Sequence, residues 1–194
     1  MKKLSLLFTK DGLQWHISKG KTVLEEAFHF VTEETSPHLV EEKLDDVLKF
    51  DDYKEIEVIS ALNHFSLTPD SFTEHELGYK LISYNAPVDE ANEELMLSVN
   101  KKFAVQFYYT FPKHFYQKIK AKKLPTKFNF SGEKFLNALT VKNHKEIHIN
   151  LYHHQVEFFA FENKKVALYN NLDADSEVDF LYFIMFSLSK INFG

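Results

Sequence analysis

Three short strands in a row, followed by a helix, occur at both ends of this chain, and that repeat limits the architectures open to it. Near the N-terminus, residues 4–8 form a strand, Lys10-Asp11-Gly12 a turn, and residues 13–17 a second strand. Asp-Gly is a strong hairpin signal, because the tight turn needs positive φ and glycine takes it without steric cost. Lys19-Gly20-Lys21 turns the chain again, and a third strand follows over residues 22–26. Ser36-Pro37 then opens a helix, with serine at the cap, proline at the first helical position, and Val40, Leu44, Val47 and Leu48 as its apolar stripe.

At the other end, Ile147, Ile149 and Leu151 alternate with His148, Asn150 and Tyr152, the period of a half-buried strand. His153-His154-Gln155 takes the turn, residues 156–161 return, and residues 166–169 make a third strand after a turn over 162–165. Asp175 or Ser176 caps a final helix over residues 178–192. Laid on one another without a gap, the two ends place Lys10-Asp11-Gly12 on His153-His154-Gln155, Trp15 on Phe158, and Lys21 on Lys164. Few identities survive, so the duplication rests on pattern. Between the ends, the spacing predicts one strand over residues 55–67 and a helix from Ser71 to about Tyr84. A hairpin turning at Asn100-Lys101-Lys102 follows, then a lysine-rich helix from Pro112 and a shorter helix over 132–139.

The chain can bury a sizeable core: 44% of its residues are hydrophobic and 20 are phenylalanine, which excludes disorder. A formal charge of −5 gives no sign of a polyanionic partner. Every basic residue is lysine, which disfavours functions needing the guanidinium fork for phosphate or guanine. Without cysteine there is no disulfide, thiolate zinc site or cysteine nucleophile. The opening MKKLSLLFTKDG has too short an apolar run for a signal peptide, and the last helix falls short of a membrane span. A soluble cytoplasmic protein is the expectation.

The stretches EIEVISALNHFSLTPDSF (55–72), EIHINLYHHQVEFFAFENKKVALYN (146–170) and DFLYFIMFSLSKIN (179–192), with the duplicated meander and helix, resemble an uncharacterised bacterial domain of unknown function. That family is assigned to the actin-like ATPase fold, a duplicated ribonuclease H-like α/β fold with mixed sheets. The resemblance implies a first lobe over residues 1–145 and the beginning of a second over 146–194. It also implies a phosphate loop in the first hairpin of each half, built from an acid, a glycine and a small hydroxyl residue. Backbone amides at such a turn cradle phosphate while the carboxylate holds magnesium or orients water. Here the first turn has Asp11 and Gly12 adjacent, with Leu13 where a hydroxyl is expected, and the second has neither acid nor glycine. No nucleotide-binding residue is therefore carried over. In this fold each half also continues past its helix with two more strands and helices. The expectation is thus a fragment of a longer protein, with self-association through the apolar final helix as the consequence.

Other candidates have plainer readings. Adjacent His153 and His154 should point apart and so not share a metal, with only Glu157 and His144 near enough to complete a set. The lysines and aromatics of residues 113–128 fit an amphipathic helix with its rings inward, which argues against nucleic acid. The carboxylates of residues 33–55 read as a solvated acidic face, and Ser131 as a helix cap. Neither catalytic, cofactor-binding nor metal-binding residues are assigned. The first reading is a non-catalytic protein–protein interaction scaffold. The alternative is an ATP-binding protein or phosphotransferase with a diverged site, in which Asp11 is the carboxylate to test, and a weaker third is a nucleic-acid adaptor using Lys113–Lys127.

Overall fold

The computed structural model describes residues 2–193. Strands β1 (Lys2–Thr9), β2 (Gly12–Lys19) and β3 (Thr22–Phe30) form the expected antiparallel meander, each strand running further than its apolar pattern. Leu4, Leu6 and Phe8 alternate inward along β1, as do Leu13, Trp15 and Ile17 along β2. They bury against Leu44, Val47 and Leu48 of α1 (Leu39–Leu48). This helix starts later than Ser36-Pro37 suggests. The Ser36 hydroxyl accepts from the His38 amide at 3.1 Å and so closes a turn ahead of the helix, whose own cap has no side-chain bond.

The single strand expected over 55–67 is two strands in two different sheets, β4 (Tyr53–Ser60) and β5 (Phe65–Pro69). The apolar pattern is continuous across the break, but the backbone is committed elsewhere. The Ala61 amide donates to the Phe8 carbonyl at 2.7 Å, and the Ala61 carbonyl is taken by side chains from the far end of the chain. The helix expected from Ser71 is a short 3₁₀ turn (His75–Leu77) leading into α2 (Gly78–Ser83). Strands β6 (Glu93–Asn100) and β7 (Val105–Pro112) complete a sheet of order β5-β7-β6.

After α3 (Lys113–Lys120) comes a strand that periodicity does not reveal, β8 (Thr126–Phe130). It lies parallel to β4, which itself lies parallel to β1, giving the order β3-β2-β1-β4-β8. Strands β4 and β8 thus extend the N-terminal meander into one five-stranded sheet. Helix α4 (Ser131–Ala138) leads to the second meander, β9 (Lys145–Leu151), β10 (Gln155–Glu162) and β11 (Lys165–Asp173), ordered β11-β10-β9. Ser176 caps α5 (Glu177–Lys190) by accepting from the Asp179 amide.

Strand β9 faces opposite to its apolar pattern. Ile147, Ile149 and Leu151 are 39%, 43% and 64% exposed, while Glu146, His148 and Asn150 turn inward. Facing is all-or-none along a strand, so a strong polar demand on one side can set it. Here the buried Glu157 carboxylate makes that demand, accepting from Asn150 and Tyr152. Helix α5 covers Val156, Phe158 and Ala160 of β10, and their cross-strand neighbours on β9 stay uncovered.

Candidate functional site

The two hairpin turns that the duplication places in register meet one another. Asp11, in the β1–β2 turn, accepts through Oδ2 from the His154 backbone amide at 3.0 Å, across 143 residues of sequence. Its Oδ1 lies 3.6 Å from His154 Nδ1. His153 and His154 do not diverge as extended chain would make them: they sit in a turn, and their Nδ1 atoms are 2.9 Å apart. The Phe30 ring stacks on His153 with centroids 4.5 Å and planes 26° apart. Neither Glu157 nor His144 joins this group; the third member is Asp11, which only the tertiary fold brings in.

Gly12 is explained without a phosphate. A Cβ there would stand 2.0 Å from the His29 carbonyl oxygen, so the close approach of β3 demands glycine. Lys10 is engaged too, with its Nζ 3.3 Å from Asp173 and 3.7 Å from Asp175.

Behind the turns lies a buried polar seam that joins β10 and β11 to Ser131 and Ala61. The Glu157 carboxylate is fully buried and accepts four hydrogen bonds, from Ser131 Oγ (3.0 Å), Tyr169 Oη (2.9 Å), Asn150 Nδ2 (2.8 Å) and Tyr152 Oη (2.7 Å). Burial, then the Glu157 charge, pushes both phenols upward in pKa, which keeps them as donors. Ser131 is therefore a tie from α4 to Glu157 of β10 and not a helix cap. Gly132 beside it lies flush on the Tyr169 ring, since a Cβ would come within 2.7 Å of Cζ. Gln155 Nε2 donates to the Ala61 carbonyl and to Asn171 Oδ1, and Asn171 Nδ2 also reaches Ala61. Past this seam opens a cleft of about 890 Å³ bordered by Lys10, His64, Glu93, Asn170 and Asp173.

The remaining residues singled out by pattern pair with each other. Lys118 of α3 lies 2.9 Å from Glu41 and 2.8 Å from Asp45 of α1, and Lys122 lies 2.5 Å from Asp51. The acidic face is thus partly neutralised by the lysine-rich helix. As expected, the rings of that segment face the core: Phe115 meets Phe8, and Tyr116 meets Phe128.

Sequence reading places Glu133 in the first turn of the helix, where the dipole favours an acid, but not its burial: it is only 7% exposed and held by Asn100 and Asn137. Burial raises its carboxyl above the ordinary value, outweighing those hydrogen bonds. A raised carboxyl pKa in the fold means that ionised Glu133 opposes folding at neutral pH and ceases to do so once both states are protonated. Glu133→Gln is accordingly expected to raise the melting temperature at pH 7, and the gain should vanish below about pH 4.5, the unfolded value. Thermal melts across that range check it.

Comparison with known structures accounts for the arrangement. A crystal structure from Bacteroides thetaiotaomicron, of a protein with an actin-like ATPase fold and unknown function, superimposes with a TM-score of 0.81 at 20% identity. The match covers 100% of this chain and 78% of that one. The cytoplasmic domain of EpsL, an inner membrane component of the type II secretion system of Vibrio cholerae, matches with a TM-score of 0.50 at 10% identity, over 89% of this chain and 71% of that one. The fold is therefore the actin-like ATPase fold. No curated protein matches in sequence. Among the described residues, no helix is long and apolar enough to cross a membrane. A family model described as a protein of unknown function, DUF3822, matches residues 1–194, and the chain belongs to that family.

Proposed function

We propose that this protein is a non-catalytic interaction scaffold of the cytoplasm, with a first lobe over residues 1–145 and the beginning of a second over 146–194. The observation that carries the reading is an uncovered apolar surface on the second meander. Val178, Leu181, Tyr182 and Met185, spaced as one face of α5, are between 60% and 74% exposed. Ile147, Ile149 and Leu151 stand on the α5-bearing face of the sheet. Isolated exposed apolar residues need no explanation, but four on one helix face, beside three on the sheet face that the same helix covers, support a contact surface.

The occupant is a second copy of the chain. Glu177 and Asp179 begin α5 and Lys190 ends it, so two antiparallel copies set acids against a lysine at both ends of a self-complementary contact. The joined turns support the non-catalytic part, because the Asp11 carboxylate occupies the His154 amide that a phosphate would use. The same contact weighs against the alternative, an ATP-binding protein or phosphotransferase acting through Asp11. Nucleic acid is disfavoured, since Lys118 and Lys122 already serve α1 and the loop after it.

Light scattering on the eluting protein tests the pairing. The wild-type chain is expected to run as a dimer, and Leu181→Glu with Met185→Glu as a monomer with an unchanged far-ultraviolet spectrum, since each charge would be buried without a partner. A wild-type monomer at all concentrations would contradict self-association.

A further inference from the structure

We propose that Asp11, His153 and His154 form a binding site for a divalent transition metal, which would tie the two hairpin turns together. Three features of the geometry point this way. First, the ligand atoms converge: the two Nδ1 atoms are 2.9 Å apart, His154 Nδ1 is 3.6 Å from Asp11 Oδ1, and all three donors lie within 4.8 Å of one another. A metal held tetrahedrally at about 2.0–2.2 Å by imidazole nitrogen and carboxylate oxygen sets neighbouring ligand atoms roughly 3.4 Å apart. The two measured edges bracket that spacing, and the third is no longer than 4.8 Å.

Second, the ligands are oriented by groups outside the set. The His154 amide holds Asp11 Oδ2, which leaves Oδ1 toward the imidazoles, and Phe30 holds the His153 ring by stacking. Such outer contacts are what a metal site needs to keep its ligands in place. Third, the surrounding charge suits a cation. The nearby Lys10 ammonium is offset by Asp173 and Asp175, leaving the Asp11 charge available.

Two imidazoles and one carboxylate select zinc, nickel or cobalt over magnesium or calcium, which prefer all-oxygen ligands. Three protein ligands also leave coordination positions for water or for a group from outside the chain. The site comes from both halves, Asp11 from the first hairpin and the histidines from the second, so binding would stabilise their junction. It stands independently of α5 pairing.

The test is titration of the full chain with zinc chloride by calorimetry, and with cobalt chloride by visible absorption. One equivalent is expected to bind, with a cobalt ligand-field band and a raised melting temperature in zinc. His153→Gln and His154→Gln should each weaken affinity by at least about tenfold, since loss of even an outer contact to a ligand can cost that much. His154→Gln keeps the backbone amide that Asp11 accepts from, so its metal-free melt should match the wild type. His16→Gln, away from the turns, should bind as the wild type does. No zinc binding by the wild-type chain, or unchanged affinity in the double variant of His153 and His154, would overturn the proposal.

Discussion

Glu157→Ala is expected to lower stability by several kcal/mol, since each buried donor it leaves without a partner costs about 1–3 kcal/mol. The carboxylate is fully buried and its two oxygens accept four hydrogen bonds, near the capacity of an ionised carboxylate. Removing it orphans the buried Ser131 and Tyr169 hydroxyls and takes a partner from the half-buried Asn150 and Tyr152, and an unsatisfied buried donor costs more than a made bond contributes. Glu157→Gln should cost less, about 1–2 kcal/mol. Its amide nitrogen can face Ser131 and Tyr169, whose hydroxyls can accept, while its oxygen stays toward Asn150 and Tyr152. Urea unfolding of both variants measures the difference. Equal and small losses would show that Glu157 does not hold the seam.

Phe130→Ala is expected to cost about 3–5 kcal/mol, the range for truncating a buried phenylalanine. Its ring is fully buried, with centroids 5.2 Å from Phe65, 5.2 Å from Phe107, 5.3 Å from Tyr109 and 6.0 Å from Tyr169. Those neighbours belong to β5, β7 and β11, while Phe130 ends β8, so one side chain joins all three sheets. The cavity would open where the sheets meet and where collapse is least able to fill it. Denaturant midpoints with an unchanged slope would locate the loss in the folded state. A loss below about 1 kcal/mol would mean that the sheets are held together elsewhere.

What could be read from the sequence follows the range of the interaction behind it. The two meanders and the capped start of the last helix, narrowed to Asp175 or Ser176, were legible, because period-two patterns, a Gly-bearing turn and a capping side chain act over a few residues. The break at Ala61 was not, because the side chains that bind its carbonyl, Gln155 and Asn171, lie 94 and 110 residues on. The facing of β9 was misjudged for the same reason: apolar alternation argued for one face, and one buried carboxylate on the neighbouring strand selected the other. Strand β8 is five residues with a lysine inside it, and only its place beside β4 makes it a strand. The candidate site was half legible. His153, His154 and Asp11 each drew attention, but their meeting depends on how the two halves close, which no local pattern encodes.

That the two turns bind each other in place of a nucleotide is tested most directly by calorimetric titration of the chain with magnesium and ATP, alongside Asp11→Ala. No saturable heat into the millimolar range is the predicted result for the wild-type chain, because the His154 amide is already satisfied by Asp11. Saturable heat with the wild-type chain that disappears in Asp11→Ala would contradict the account and restore Asp11 as a nucleotide-site carboxylate.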